Sequence, residues 1–206
     1  DLRMSRGLGD VYKRQIMDFE IKLIEFLQGG RTPFFDVSFQ VISMIGSYVG
    51  AVALVLLFLF TKHRRGYAFW FLFTYGFAYL VQSSLKVLIA RDRPFNVSDS
   101  IMNIGDVVTS YSMPSGHVVC ATVIAIFLGA YLFSFYKSKG SRAMICLALI
   151  IYVGLVALSR MYLGKHFLTD TLAGMGVGIV FGALGLTLMW LWNKRRKKNE
   201  TSNDNL

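Results

Sequence analysis

His166 and Asp170 stand four residues apart, a spacing that puts both on one face if they lie on a helix. A carboxylate beside one imidazole nitrogen fixes the tautomer and leaves the other nitrogen free to attack an electrophile. A helix-capping pair at the mouth of an apolar helix would explain the same spacing, so the pair needs company before it means catalysis. That company comes from two other segments. Pro114-Ser115-Gly116-His117 opens an apolar run. Ser115 is a suitable N-cap there, Gly116 permits close backbone approach, and free N–H groups at a helix start attract anions. His117 would sit beside such an anion, where an imidazolium could protonate a leaving group.

Cations complete the set. Lys86 and Arg93 are seven residues apart; on a continuous helix they share a face roughly 10 Å apart along the axis. Arg160 offers a planar fork suited to phosphate oxygens. Lys86 could instead snorkel to a membrane interface. Arg91 and Asp92 read as a local solvated pair, and Lys165 as an interfacial anchor. Together, three cations, a helix N-terminus, an oriented imidazole and a second imidazole fit phosphoryl transfer, which depends on positioning and charge stabilisation.

The elements that must hold these residues are membrane helices. The chain has 206 residues, 54% hydrophobic and 17% charged, with a mean hydropathy of +0.50. That composition excludes a disordered chain and argues against an ordinary soluble domain. Five apolar runs approach the roughly 20 residues a bilayer-spanning helix needs: about Phe35–Phe60, Tyr67–Ile89, Gly116–Phe135, Ala143–Leu158 and Thr171–Trp192. Ahead of them, Met17–Gln28 carries Asp18, Lys22 and Glu25 on one stripe, which reads as a short amphipathic helix at the interface. Cys120 and Cys146 lie inside apolar runs and read as buried packing residues. Gly174, Gly178 and Gly182 form a small-residue ridge suited to close helix packing, either within the chain or in a dimer; packing within the chain is the expectation.

The net charge of +10 would suit nucleic acid, but its location argues for a membrane. His63-Arg64-Arg65, Lys137–Arg142 and Lys194–Lys198 each abut an apolar run, and with five spans all three fall on one side. The positive-inside rule makes that side cytoplasmic, together with the C-terminus. The segments around 91–116 and 160–166 then meet on the extracytoplasmic face. Residues 1–16 read as a non-native prefix, because Asp10–Gln15 matches one reading frame of a sequencing adapter; the native chain is expected to start at Met17. The membrane domain is expected over 17–192, followed by a basic, disordered tail over 193–206.

Lys86-x6-Arg93-Pro94, Pro114-Ser115-Gly116-His117 and Ser159-Arg160-x5-His166-x3-Asp170 resemble, in order, the three signature motifs of the type 2 phosphatidic acid phosphatase (PAP2) superfamily. The resemblance implies an all-α integral membrane bundle of about five spans plus the amphipathic helix, akin also to vanadium haloperoxidases. It implies that His166 attacks phosphorus to form a phosphohistidine, that Asp170 orients it, and that His117 protonates the departing oxygen and then activates water. Lys86, Arg93, Ser115, Gly116 and Arg160 would hold phosphate oxygens. No metal or other cofactor is implied, and no carboxylate cluster near the motifs could seat magnesium. The expected substrate is a lipid phosphate in the bilayer: undecaprenyl pyrophosphate first, then phosphatidylglycerol phosphate or phosphatidic acid. The Arg91–Pro114 segment is expected to shape head-group choice. Two other readings use the same residues: phosphoryl transfer to an acceptor alcohol, and a phospholipid transporter or binding protein. The second has no need of a His166–Asp170 pair with His117.

Overall fold

The computed structural model describes residues 2–61 and 65–203; His63 and Arg64, in the first basic cluster, lie outside the described residues. Among the described residues all regular structure is helical: α1 Leu2–Gly29, α2 Pro33–Ile45, α3 Tyr48–Phe60, α4 Arg65–Ile89, the single turn α5 Pro94–Val97, α6 Gly116–Leu132, α7 Lys139–Tyr162 and α8 Leu168–Asn203.

Helix α6 is the axis of the bundle. It packs against α8, α7, α4 and α3, and most of its side chains are buried. Its 17 residues rise about 25 Å, less than the roughly 30 Å hydrocarbon thickness. A helix walled off from lipid by its neighbours has no need to match that thickness. Three helical stretches, Arg65–Val97, Lys139–Tyr162 and Leu168–Arg196, are long and apolar enough to cross a membrane, and α2 with α3 forms a fourth, bent by 46°. Of the five expected spans, three thus have the length and hydropathy of a membrane span among the described residues, or four if α2 and α3 make one, and α6 is a shorter apolar helix.

Between lipid-facing helices the hydrophobic effect offers little driving force, so close packing has to hold the bundle. The glycine ridge supplies it inside the chain. A Cβ added at Gly174 would meet the Ser115 carbonyl oxygen at 2.7 Å, at Gly178 the Thr122 Cβ at 2.5 Å, and at Gly182 the Ile126 Cδ1 at 2.6 Å. All three glycines seat α8 on α6. The joint between α2 and α3 is also closely packed: at Gly46 a Cβ would lie 2.5 Å from Val156 on α7.

Helix α1 does more than lie at an interface. The expected amphipathic segment forms its C-terminal part, and Ile24 packs there with Ile101, Met161 and Phe167. Gln28 Nε2 donates to the carbonyls of Met102 (2.9 Å) and Tyr162 (2.8 Å). Two sequence expectations need correction. Helix α8 runs on through the basic tail to Asn203, because Lys and Arg are good helix formers and nothing there breaks the helix. Cys120 is buried, but Cys146 is exposed, on an apolar groove that α7 shares with α6 and α8. Helix α4 ends at Ile89, where the expected span ends, so Lys86 and Arg93 are not on one continuous helix: Ala90 adopts φ 48°, a left-handed conformation that interrupts it.

Candidate active site

The motif residues meet at one end of the bundle. Lys86 comes from the last turn of α4, Arg93 from the cap of α5, and His117 from the first turn of α6. Arg160 comes from the last turn of α7, His166 from the α7–α8 turn, and Asp170 from the first turn of α8. Gly164, at φ +71°, reverses the chain between α7 and α8. A side chain at that position would be strained and would meet Ile101 Cγ2 at 3.1 Å. The turn that delivers His166 therefore needs glycine.

A cavity of about 770 Å³ is lined by Lys86, Arg93, Gly116, His117, Arg160 and His166, with Tyr48, Tyr75, Tyr79 and the 108–111 segment forming its other walls. Three segments remote in sequence thus supply six of the eight predicted residues to one chamber. The other two stand beside it. Asp170 is fully buried next to His166. Ser115 is also fully buried, and its backbone N–H donates to the Asp170 carbonyl at 3.0 Å, tying the second motif to the third. Ser115 makes no side-chain cap bond, contrary to expectation; its hydroxyl is buried and has no protein partner.

The cations are held in place before any ligand arrives. Arg93, 2% exposed, donates from Nε to the Ser110 carbonyl (2.6 Å) and from Nη1 to the Lys165 carbonyl (2.8 Å). Although α4 is broken between them, Lys86 Nζ and Arg93 Nη2 converge on the Tyr111 carbonyl, at 2.9 and 3.3 Å. Arg160 Nη1 donates to Ser43 Oγ of α2 at 2.6 Å, while its buried Nε has no protein partner.

His166 Nδ1 faces Asp170 Oδ2 at 3.7 Å. Burial, then Arg160, Arg93 and Lys86, hold the imidazole well below its usual pKa; the Ser112 backbone opposes them. The ring is therefore neutral at pH 7, the state a nucleophile requires. Among the described residues no three His, Cys, Asp or Glu side chains converge as a metal-binding group.

Two sequence readings change here. Arg91 pairs with Asp170 Oδ1 and Glu20 Oε2, both at 2.6 Å, instead of with Asp92. Lys165 is no surface anchor: it is 3% exposed, and its ammonium donates to Asn103 Oδ1 and the Asp106 carbonyl. Burial first, then Arg160 and Arg93, push its pKa down to about 8. Ser43 and Glu20 drew no attention in sequence. Glu20 did carry a signal: it is an acid opposite the polar stripe of α1, on the face that packs inward.

The chain is similar to known proteins over most of its length. The family model described as the PAP2 superfamily matches residues 67–197. Phosphatidylglycerophosphatase B of Bacillus subtilis is 37% identical over 113 residues, covering 53% of this chain and 51% of that protein. This chain thus spans about half the length of that relative. Lipid A 4'-phosphatase of Porphyromonas gingivalis is 28% identical over 176 residues, covering 81% of this chain and 71% of that protein. The crystal structure of a transmembrane PAP2 type phosphatidylglycerolphosphate phosphatase from Bacillus subtilis shares the fold. Its TM-score is 0.72 at 21% identity, over 87% of this chain and 89% of that one.

Proposed function

This chain belongs to the PAP2 superfamily, and from that premise we propose that it is a membrane lipid phosphatase working through a phosphohistidine at His166. The observation that carries the reading is the single cavity lined by Lys86, Arg93, Gly116, His117, Arg160 and His166. A phosphoryl group there faces three cations and a helix N-terminus, which stabilise charge on its oxygens.

With Nδ1 turned to Asp170, His166 Nε2 attacks phosphorus. The P–N bond forms as the P–O bond to the lipid breaks, and His117 gives its proton to the leaving oxygen. Water then attacks phosphorus, His117 takes the water's proton, and the P–N bond breaks to release inorganic phosphate. Asp170 steadies the ring throughout. The free Nε of Arg160, a residue of the cavity wall, supplies an unfilled donor for a phosphate oxygen, and the unpartnered Ser115 hydroxyl stands beside the cavity.

The substrate is a phosphomonoester or pyrophosphate on a bilayer lipid. The names of the relatives put phosphatidylglycerol phosphate and a lipid A phosphate beside undecaprenyl pyrophosphate and phosphatidic acid as candidates. The site belongs on the extracytoplasmic face, since the basic Lys137–Arg142 and Lys194–Lys198 runs mark the opposite side as cytoplasmic. Phosphate release from these four lipids by purified protein in detergent, with and without chelator, tests the reading. Release on at least one lipid is expected to persist in chelator and to vanish in His166→Ala. Strict dependence on added magnesium would contradict it.

A further inference from the structure

Glu20 is 1% exposed on α1, a helix whose Asp18 and Glu25 face outward. Both its oxygens are engaged. Oε1 accepts from the Thr169 backbone N–H and hydroxyl, both at 2.7 Å. Oε2 accepts from Arg91 Nη2 at 2.6 Å. The same guanidinium reaches on from Nη1 to Asp170 Oδ1 and Thr169 Oγ1, both at 2.6 Å, and lies 4.2 Å over the Phe167 ring. Phe167 N–H in turn holds Asp170 Oδ2 at 2.8 Å. One arginine fork therefore links an acid of the first helix to the carboxylate beside His166.

We propose that Glu20 and Arg91 are positioning residues for the His166–Asp170 pair, which makes α1 part of the catalytic assembly; the proposal rests on the phosphatase reading above. The physical reason is competition for one cation. With both acids in place, Arg91 is shared, and Asp170 stays where it can face the imidazole. Without the Glu20 charge, Asp170 becomes the sole counter-ion of a largely buried guanidinium and is drawn toward it, away from His166. Removing Arg91 leaves two buried carboxylates near each other without the cation that holds them.

The test compares Glu20→Gln, Arg91→Lys and the double variant in full-length protein. Glu20→Gln keeps an acceptor for Thr169 but loses the charge. Arg91→Lys keeps the charge but cannot span both acids. Glu25→Gln is the control: Glu25 is another α1 acid, bonded to Ser100 in the outer segment, and its loss disturbs helix docking without touching the fork. Glu20→Gln is expected to lower kcat roughly tenfold with KM within about twofold, and Arg91→Lys to lower it further. The double variant is expected to match Arg91→Lys, because Glu20 acts through Arg91. The His166 ring nitrogens, assigned in nitrogen-15 spectra by their loss in His166→Ala, are expected to shift in Glu20→Gln and stay in Glu25→Gln. If wild-type protein releases no phosphate, the phosphatase reading fails, and the spectra alone still decide the coupling. An unmoved His166 signal in Glu20→Gln overturns the proposal, as do independent, multiplicative losses in the double variant. Should Glu20→Gln fail to fold, Arg91→Lys against Glu25→Gln carries the same comparison.

Discussion

Asp170 Oδ2 stands 3.7 Å from His166 Nδ1, outside hydrogen-bond range, while its oxygens are bound by the Phe167 N–H and the Arg91 guanidinium. The pair is thus aligned and loose. Catalytic hydrogen bonds in ligand-free sites are often long and close only when substrate arrives. In the proposed mechanism His166 becomes positively charged as the phosphoenzyme forms, and attraction then draws the carboxylate in. Asp170→Asn removes that charge while keeping most of the shape. It should lower kcat by about 10²-fold or more and change KM little. Steady-state phosphate release on one lipid substrate checks this; an unchanged kcat would remove Asp170 from the mechanism.

Arg160 keeps one buried donor, its Nε, without a protein partner, and Ser43 is the residue that aims it. Arg160→Ala should cost about 10²–10³-fold in kcat/KM, the usual loss when one donor to transition-state charge is removed. Ser43→Ala deletes only the bond that orients the fork and should cost roughly tenfold or less. Equal losses at the two positions would mean that Arg160 acts through structure instead of contact with phosphate.

The glycine ridge predicts a sharp contrast within one helix. Gly178→Val would press a side chain into Thr122, whereas an added Cβ at Gly176 meets nothing within 4 Å. Gly178→Val should destabilise the protein by about 1–3 kcal/mol through overpacking. Gly176→Ala should be neutral, or stabilising by up to about 1 kcal/mol through helix propensity. Thermal unfolding in detergent separates the two. Equal melting temperatures would contradict the packing of α8 on α6.

Burial of a neutral His166 has a sign that can be measured. Its native pKa is depressed, so below about pH 6.5 the unfolded chain takes up a proton that the native site refuses. The stability linked to this residue is therefore complete above about pH 6.5 and is lost as pH falls, by up to about 1.4 kcal/mol per pH unit. Between pH 7.5 and 5, wild-type protein should lose more thermal stability than His166→Asn. Parallel losses would show that His166 is not held neutral.

The chemistry was more legible in the sequence than the packing. His166, His117 and the three cations could be found because ionisable groups at the rims of apolar spans demand a reason. Ala90 hid the actual path between Lys86 and Arg93: no residue type announces that an alanine will turn left-handed there, yet both side chains still reach the Tyr111 carbonyl. Arg91 was misread because its immediate neighbour Asp92 offered a local partner, while the real partners lie 71 and 79 residues away. Lys165 was misread for a related reason. Nothing local shows that the 103–106 segment folds over it. The ridge glycines needed only their spacing, because close approach of helices leaves few alternatives to a missing side chain.

In the proposed mechanism His166 carries the phosphoryl group between lipid and water. Rapid acid-free quenching of protein turning over a phosphorus-32-labelled lipid phosphate measures it directly. Label is expected on the protein, stable to base and lost in acid, in wild type and not in His166→Ala. Label that persists in His166→Ala, or phosphate release that survives that substitution, would contradict it.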